Sequence, residues 1–236
     1  MKIPRLPETD LALIATMPFE KQRPKLESMR LGKPPFSYAP VRALSHDIFN
    51  VQHPMFNQAA PTRWEVIAGL IEAESRTDKE AAANVPVAKA LYDFAIDKGV
   101  RGFGTDFFPL AMSTGHQVTY WSPILLIIDE KPLVPFIDPR VTRSLTAEAR
   151  RFVFSMMHQR IRAADPDYAH VEFGVFQFTK DRNRHPILHT EDGVDLFSFD
   201  ELESMVSVTY ALWQDVCENR QDDPQRRGTG TDGLLL

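Results

Sequence analysis

The chain has 236 residues, with 27 Lys and Arg against 32 Asp and Glu, so its formal net charge is −5 at pH 7. This excludes a general nucleic-acid binder acting through a global positive field and leaves only a local basic groove as a route to phosphate. A hydrophobic fraction of 43% with 25% charged residues is that of a globular protein with a sizeable core, and the single cysteine, Cys217, excludes an internal disulfide and fits a reducing compartment.

The apolar stretch LALIATM (residues 11–17) follows Glu8 and Asp10 and ends at Pro18. It lacks the basic flank, length and cleavage site of a signal peptide. No run approaches the ~18 apolar residues of a membrane span. The expectation is a cytoplasmic protein without membrane contact. Residues 1–61 are broken by proline in KIPRLP, MPF, RPK, GKPPF, APV, QHPMF and AAPT. Proline lacks a backbone donor and pushes its predecessor out of the helical region. This segment reads as a proline-rich arm, extended with short strands and packed on the main domain. Leu11, Leu13, Ile14, Phe36, Tyr38, Ile48, Phe49, Met55 and Phe56 are its apolar anchors.

The first helix is predicted from Thr62, where TRWE has the form of a capping box between Thr62 and Glu65. Trp64, Ile67, Ala68 and Ile71 then recur at helical spacing to about Ser75. TDKE repeats the box at Thr77 and Glu80, a further start is expected at Asn84–Pro86, and Gly99 suits a C-terminal stop. Extended segments follow at 105–112, 116–128 and 132–137, the last two separated by a tight turn. Pro123, Pro132 and Pro135 predict edge positions or bulges for these strands.

Thr146 is the predicted N-cap of a helix whose stripe is Ala149, Phe152, Val153, Met156, Met157 and Ile161. Residues 170–178, HVEFGVFQF, read as an alternating, half-buried strand, and a polar loop with a short strand at Ile187–Leu188 comes next. SFDE (198–201) opens the final helix as a third capping box. The predicted fold is α+β, a mixed or antiparallel sheet of about four to five strands packed by three to four helices. The expected organisation is an arm (1–61), one α+β domain (62–220) and a flexible tail (221–236) ending in Leu234–Leu236.

One constellation could carry chemistry. IDPR places Asp138 and Arg140 at the end of a strand, Asp106 lies on an earlier extended segment, and Glu72 and Glu74 lie on the first helix. With a helix–strand–strand–strand–helix–strand order, this resembles the core of the restriction-endonuclease-like (PD-(D/E)xK) nucleases. The resemblance implies Asp106, Asp138 and Glu72 as ligands of Mg or Mn, hard ions that take oxygen donors. Arg140 would stand where that family has lysine; it could clamp phosphate but not act as a base. The other reading makes Asp138 a structural acid paired locally with Arg140.

Arg140 and Arg143 precede, and Arg150, Arg151, Arg160 and Arg162 occupy, the helix of residues 146–163, the one concentrated basic stretch in an acidic chain. It reads as an anion or partner-binding surface, or as the solvated face of an amphipathic helix. His185 and His189 are four apart in a polar loop without a further ligand that would complete a zinc pattern. Phe103, Phe107, Phe108, Tyr120 and Trp121 read as core, and Cys217 as inert. The leading expectation is a non-catalytic protein that binds a macromolecular, most simply a protein, partner through its arm, arginine-rich helix or tail, as an accessory or regulatory subunit. The alternatives are a metal-dependent nuclease, degenerate or active, and a nucleic-acid-binding regulator using the arginines of 146–163.

Overall fold

The structure, a computed structural model, describes residues 4–29, 37–52, 60–181 and 183–221. Its organising feature is the hairpin between β5 (Ile124–Ile128) and β6 (Lys131–Ile137). Asp129 and Glu130 both take left-handed φ values, 49° and 63°. That is the twist a two-residue hairpin needs to match the flanking strands.

Around this hairpin a six-stranded mixed sheet runs β1 (Val51–Gln52), β2 (Arg101–Gly104), β5, β6, β7 (Glu172–Phe178), β8 (Pro186–Thr190). β1/β2 and β6/β7 are parallel; β2/β5, β5/β6 and β7/β8 are antiparallel. A separate antiparallel pair joins β3 (Leu110–Ala111) to β4 (Gln117–Val118). The α+β class is as expected, with one more strand in the sheet than anticipated.

The proline-bearing strands are central, not at the edge. Pro132 follows the closing pair Ile128/Lys131, at a position where an antiparallel pair exchanges no hydrogen bonds. The carbonyl of Pro135 accepts from the Ser122 amide (2.8 Å), so the side of β6 that lacks an N–H faces chain already past the β5 ladder. β7 is not half-buried either. Phe173 and Val175 enter one core and Phe176 and Phe178 the other, because both faces of the sheet are covered.

One face carries α1 (Glu8–Ala15), α7 (Ala147–Arg160) and α8 (Phe199–Gln221), packed through Leu11, Ile14, Phe152, Val153, Met156, Val206 and Trp213. The other carries α3 (Ala39–Ala43), α4 (Ser45–Ile48), α5 (Trp64–Glu74) and α6 (Asp78–Asp97), packed through Val41, Ile48, Ile67, Ile71, Val87 and Leu91. α2 (Phe19–Glu27) lies against α8. Eight α-helices are thus present among the described residues.

The described parts of residues 1–61 are mainly helical, which corrects the extended reading. Pro7 and Pro18 stand at the N-caps of α1 and α2, and Pro40 in the first turn of α3. There the missing N–H has no intrahelical partner to lose and the fixed φ favours the helix. The anchors Phe36, Met55 and Phe56 lie outside the described residues.

The capping signals divide. Thr146 accepts from the Ala149 amide (3.2 Å), and Ser198 and Glu201 form the full reciprocal box. At Thr77 half the box forms: its hydroxyl accepts from the Glu80 amide (3.2 Å), but the Glu80 carboxylate turns to the Arg76 and Ser37 amides. The Thr62 box is absent, because the Thr62 hydroxyl donates to Asp47 (3.0 Å) and α5 starts two residues later. The expected restart at Asn84–Pro86 is absent too, since α6 runs through Pro86. Asn84 is instead a buried strut, donating to the Ser37 and Glu80 carbonyls (2.8 Å each). Gly99, with φ of 58°, ends α6 as expected, and the Val100 amide closes onto the Ala95 carbonyl (2.8 Å).

Candidate functional site

Asp138 directly follows β6, and its side chain, which reaches the entry to α7 and through Arg140 meets Asp10 of α1, has no exposure. Its carboxylate accepts from the Leu145 amide (2.7 Å), the Gln177 amide nitrogen (3.1 Å) and Arg140 Nε (3.1 Å). Arg140 Nη1 also donates to Asp10 on α1 (2.8 Å). Gln177 passes the network on, donating to the Leu145 carbonyl (3.0 Å) and accepting from Arg150 Nη1 (3.0 Å). Five chain segments meet here, and the carboxylate serves the 138–145 connection into α7. A charged group at this depth is held by such partners. Asp10 and Gln177 had no local signal, since their partners are 130 and 39 positions away.

The other acids assigned to the metal reading are placed differently. Asp106 is exposed between β2 and β3, and Glu72 and Glu74 are exposed on α5. Among the described residues no group of three His, Cys, Asp or Glu side chains is arranged to hold a metal ion. His185 precedes β8 and His189 lies within it; burial, then the Arg150 charge, lowers the pKa of His189.

The arginines of α7 and its C-terminal turn are engaged with the protein itself. Arg151 lies 3.8 Å from the Phe197 ring centre and bonds Asp195; Arg162 lies 4.3 Å from that of Phe173 and pairs with Glu191. Burial pushes the Glu191 carboxyl up even with this partner, and burial lowers Arg150. Arg160 Nε donates to the Phe108 carbonyl (2.6 Å), its guanidinium 6.0 Å from that ring. Arg143 is exposed, with a φ of 61°. Arg151, Arg160 and Arg162 thus lie beside aromatic rings as cation–π contacts do, and among the described residues Arg143 and Arg150 do not take part.

The aromatic cluster is not all core. Tyr120 and Trp121 are buried, and Tyr120 donates to the Glu8 carbonyl (2.7 Å), with burial holding its pKa well above the usual value. Phe107 is half-buried, edge-on to Tyr168 at 4.9 Å. Phe108, one residue on, is 71% exposed, more than any other large hydrophobic side chain among the described residues. No helix among the described residues is long and apolar enough to cross a membrane.

Residues 9–223 match the family described as "Sliding clamp-binding bacterial toxin SocB". The DNA replication inhibitor toxin SocB of Caulobacter vibrioides is 34% identical over 232 residues, 98% of this chain and 97% of that protein. No solved structure matches the chain. The family is one of toxins, so the expectation of an accessory subunit gives way, and the comparisons lend a nuclease-like fold no support. By a match over most of its length and by identity along nearly all of it, the chain belongs to the SocB family of sliding clamp-binding bacterial toxins.

Proposed function

We propose that this chain is a toxin that halts DNA replication by binding the sliding clamp, acting in the cytoplasm as a protein ligand and not as a catalyst. The observation that carries this reading is the end-to-end likeness, 34% identity over 98% of the chain, to a protein named as a DNA replication inhibitor toxin. The geometry around Asp138 favours it over the nuclease alternative. Both carboxylate oxygens are taken by the chain's own donors, whereas Mg or Mn held by Asp106, Asp138 and Glu72 needs open oxygen ligands. The nucleic-acid alternative is weakened in the same way, because Arg150, Arg151 and Arg162 are spent on side-chain partners within the chain.

Of the docking elements considered, the arm is favoured over the tail. The family match ends at residue 223, so it spans Met55 and Phe56 but not Leu234–Leu236. Met55 and Phe56 are two large apolar side chains among Gln52, His53, Asn57 and Gln58, a composition suited to anchoring in an apolar pocket. The test mixes purified chain with the clamp of its host and follows thymidine incorporation after induction in cells. A stable complex and an early stop in DNA synthesis are expected, both weakened by Met55→Ala/Phe56→Ala and unchanged by removal of residues 224–236. Absence of a complex would overturn the reading.

A further inference from the structure

The segment from Thr105 to Pro109 displays an aromatic ring to solvent while holding the backbone beneath it. The Thr105 amide donates to the Pro123 carbonyl (3.0 Å), and Trp121 Nε1 donates to the Phe107 carbonyl (3.2 Å). Phe107 is seated edge-on against Tyr168, and Arg160 Nε reaches across 52 positions to the Phe108 carbonyl at 2.6 Å. Backbone on both sides of the ring is therefore pinned, yet the Phe108 side chain is left 71% exposed beside the Arg160 guanidinium. Arg151 and Arg162 have carboxylate partners, whereas among the described residues Arg160 has none within ion-pairing distance.

An exposed aromatic is costly in water, and a fixed one loses little entropy when it is buried by a partner. Aromatic rings with arginine are also the side chains that concentrate binding energy at the centres of interfaces. We propose that Phe108 and Arg160 form a docking site for a protein partner presenting an apolar pocket with a carboxylate at its rim, the ring entering the pocket and the guanidinium pairing with the acid. This rests on the reading that the chain works by binding the sliding clamp, and adds a contact separate from Met55 and Phe56.

The experiment measures the affinity of the full chain for its host's clamp, for wild type, Phe108→Ala and Arg160→Met, at two salt concentrations. Phe108→Ala is expected to weaken binding on the order of 10-fold or more, and Arg160→Met to weaken it less and flatten its salt dependence. Thermal midpoints serve as the folding control, and that of Phe108→Ala should stay at the wild-type value because the ring is exposed. Wild-type binding with both variants within about twofold overturns this site and leaves the clamp reading standing. Failure of the wild type to bind overturns both. If Arg160→Met loosens the loop, Phe108→Ser alone decides: unchanged affinity overturns the site, a loss supports it.

Discussion

Replacing Asp138 with alanine separates a structural acid from a catalytic one. Asp138→Ala leaves the Leu145 amide and the Gln177 amide nitrogen without their acceptor and leaves Arg140 with Asp10 as its remaining acid. An orphaned buried donor costs about 1–3 kcal/mol, and removing one partner of a buried charge pair costs about 3–5 kcal/mol in total. These contributions overlap at one carboxylate, so about 4 kcal/mol is expected, a large share of the ~5–15 kcal/mol that holds a domain together. At about 2–4 °C per kcal/mol for a chain of this size, the melting midpoint should fall by about 8–16 °C. Urea unfolding followed by tryptophan fluorescence reads the same change as a lower midpoint at unchanged slope. Asp138→Asn keeps one acceptor but sets its amide against a donor, and should fall between wild type and alanine. A loss below about 1 kcal/mol for Asp138→Ala, the level of an exposed polar substitution, would refute the role assigned to this acid.

Three more outcomes follow from local packing and charge. A Cβ on Gly174 would lie 2.8–2.9 Å from the methyls of Leu188 and Leu133, so Gly174→Ala should destabilise by about 1–3 kcal/mol in urea titration. Gly69 on α5 has nothing within 4 Å of an added Cβ, and Gly69→Ala should instead stabilise by up to about 1 kcal/mol. The Arg76 guanidinium and the amides of Arg76 and Ser37 hold the Glu80 carboxyl far below the usual carboxylate range. Its contribution is therefore complete above the unfolded value and lost as pH falls towards the folded one. Glu80→Gln should be less stable than wild type at pH 7, and melting curves at descending pH should show the gap closing below about 4.5; a gap independent of pH would contradict this.

Local signals were legible where the chain satisfies itself within one turn. Thr146, Ser198 and Gly99 fix helix ends through partners three to five residues away, and each acts as its spacing implies. Signals failed where a distant group claimed the same atom. The Thr62 hydroxyl bonds Asp47, and the Asn84 side-chain oxygen, the atom a cap would use, accepts from the Val41 amide (3.4 Å), so neither caps a helix. Prolines misled in both directions: Pro7, Pro18 and Pro40 open helices, and Pro132 and Pro135 sit in a central strand with their missing donors aimed where no ladder bond is needed. The question posed by Asp138 was legible, but its answer was not, because Asp10 and Gln177 reach it only in the folded chain. Phe107 and Phe108 look alike in sequence, and only the register of their segment turns one towards Tyr168 and the other to solvent.

Titration of the purified full chain against its host's sliding clamp tests the binding role most directly. A saturable complex with defined stoichiometry, formed without nucleic acid or added metal, is the expected result. No heat of binding and no co-elution at concentrations well above the micromolar range would contradict it.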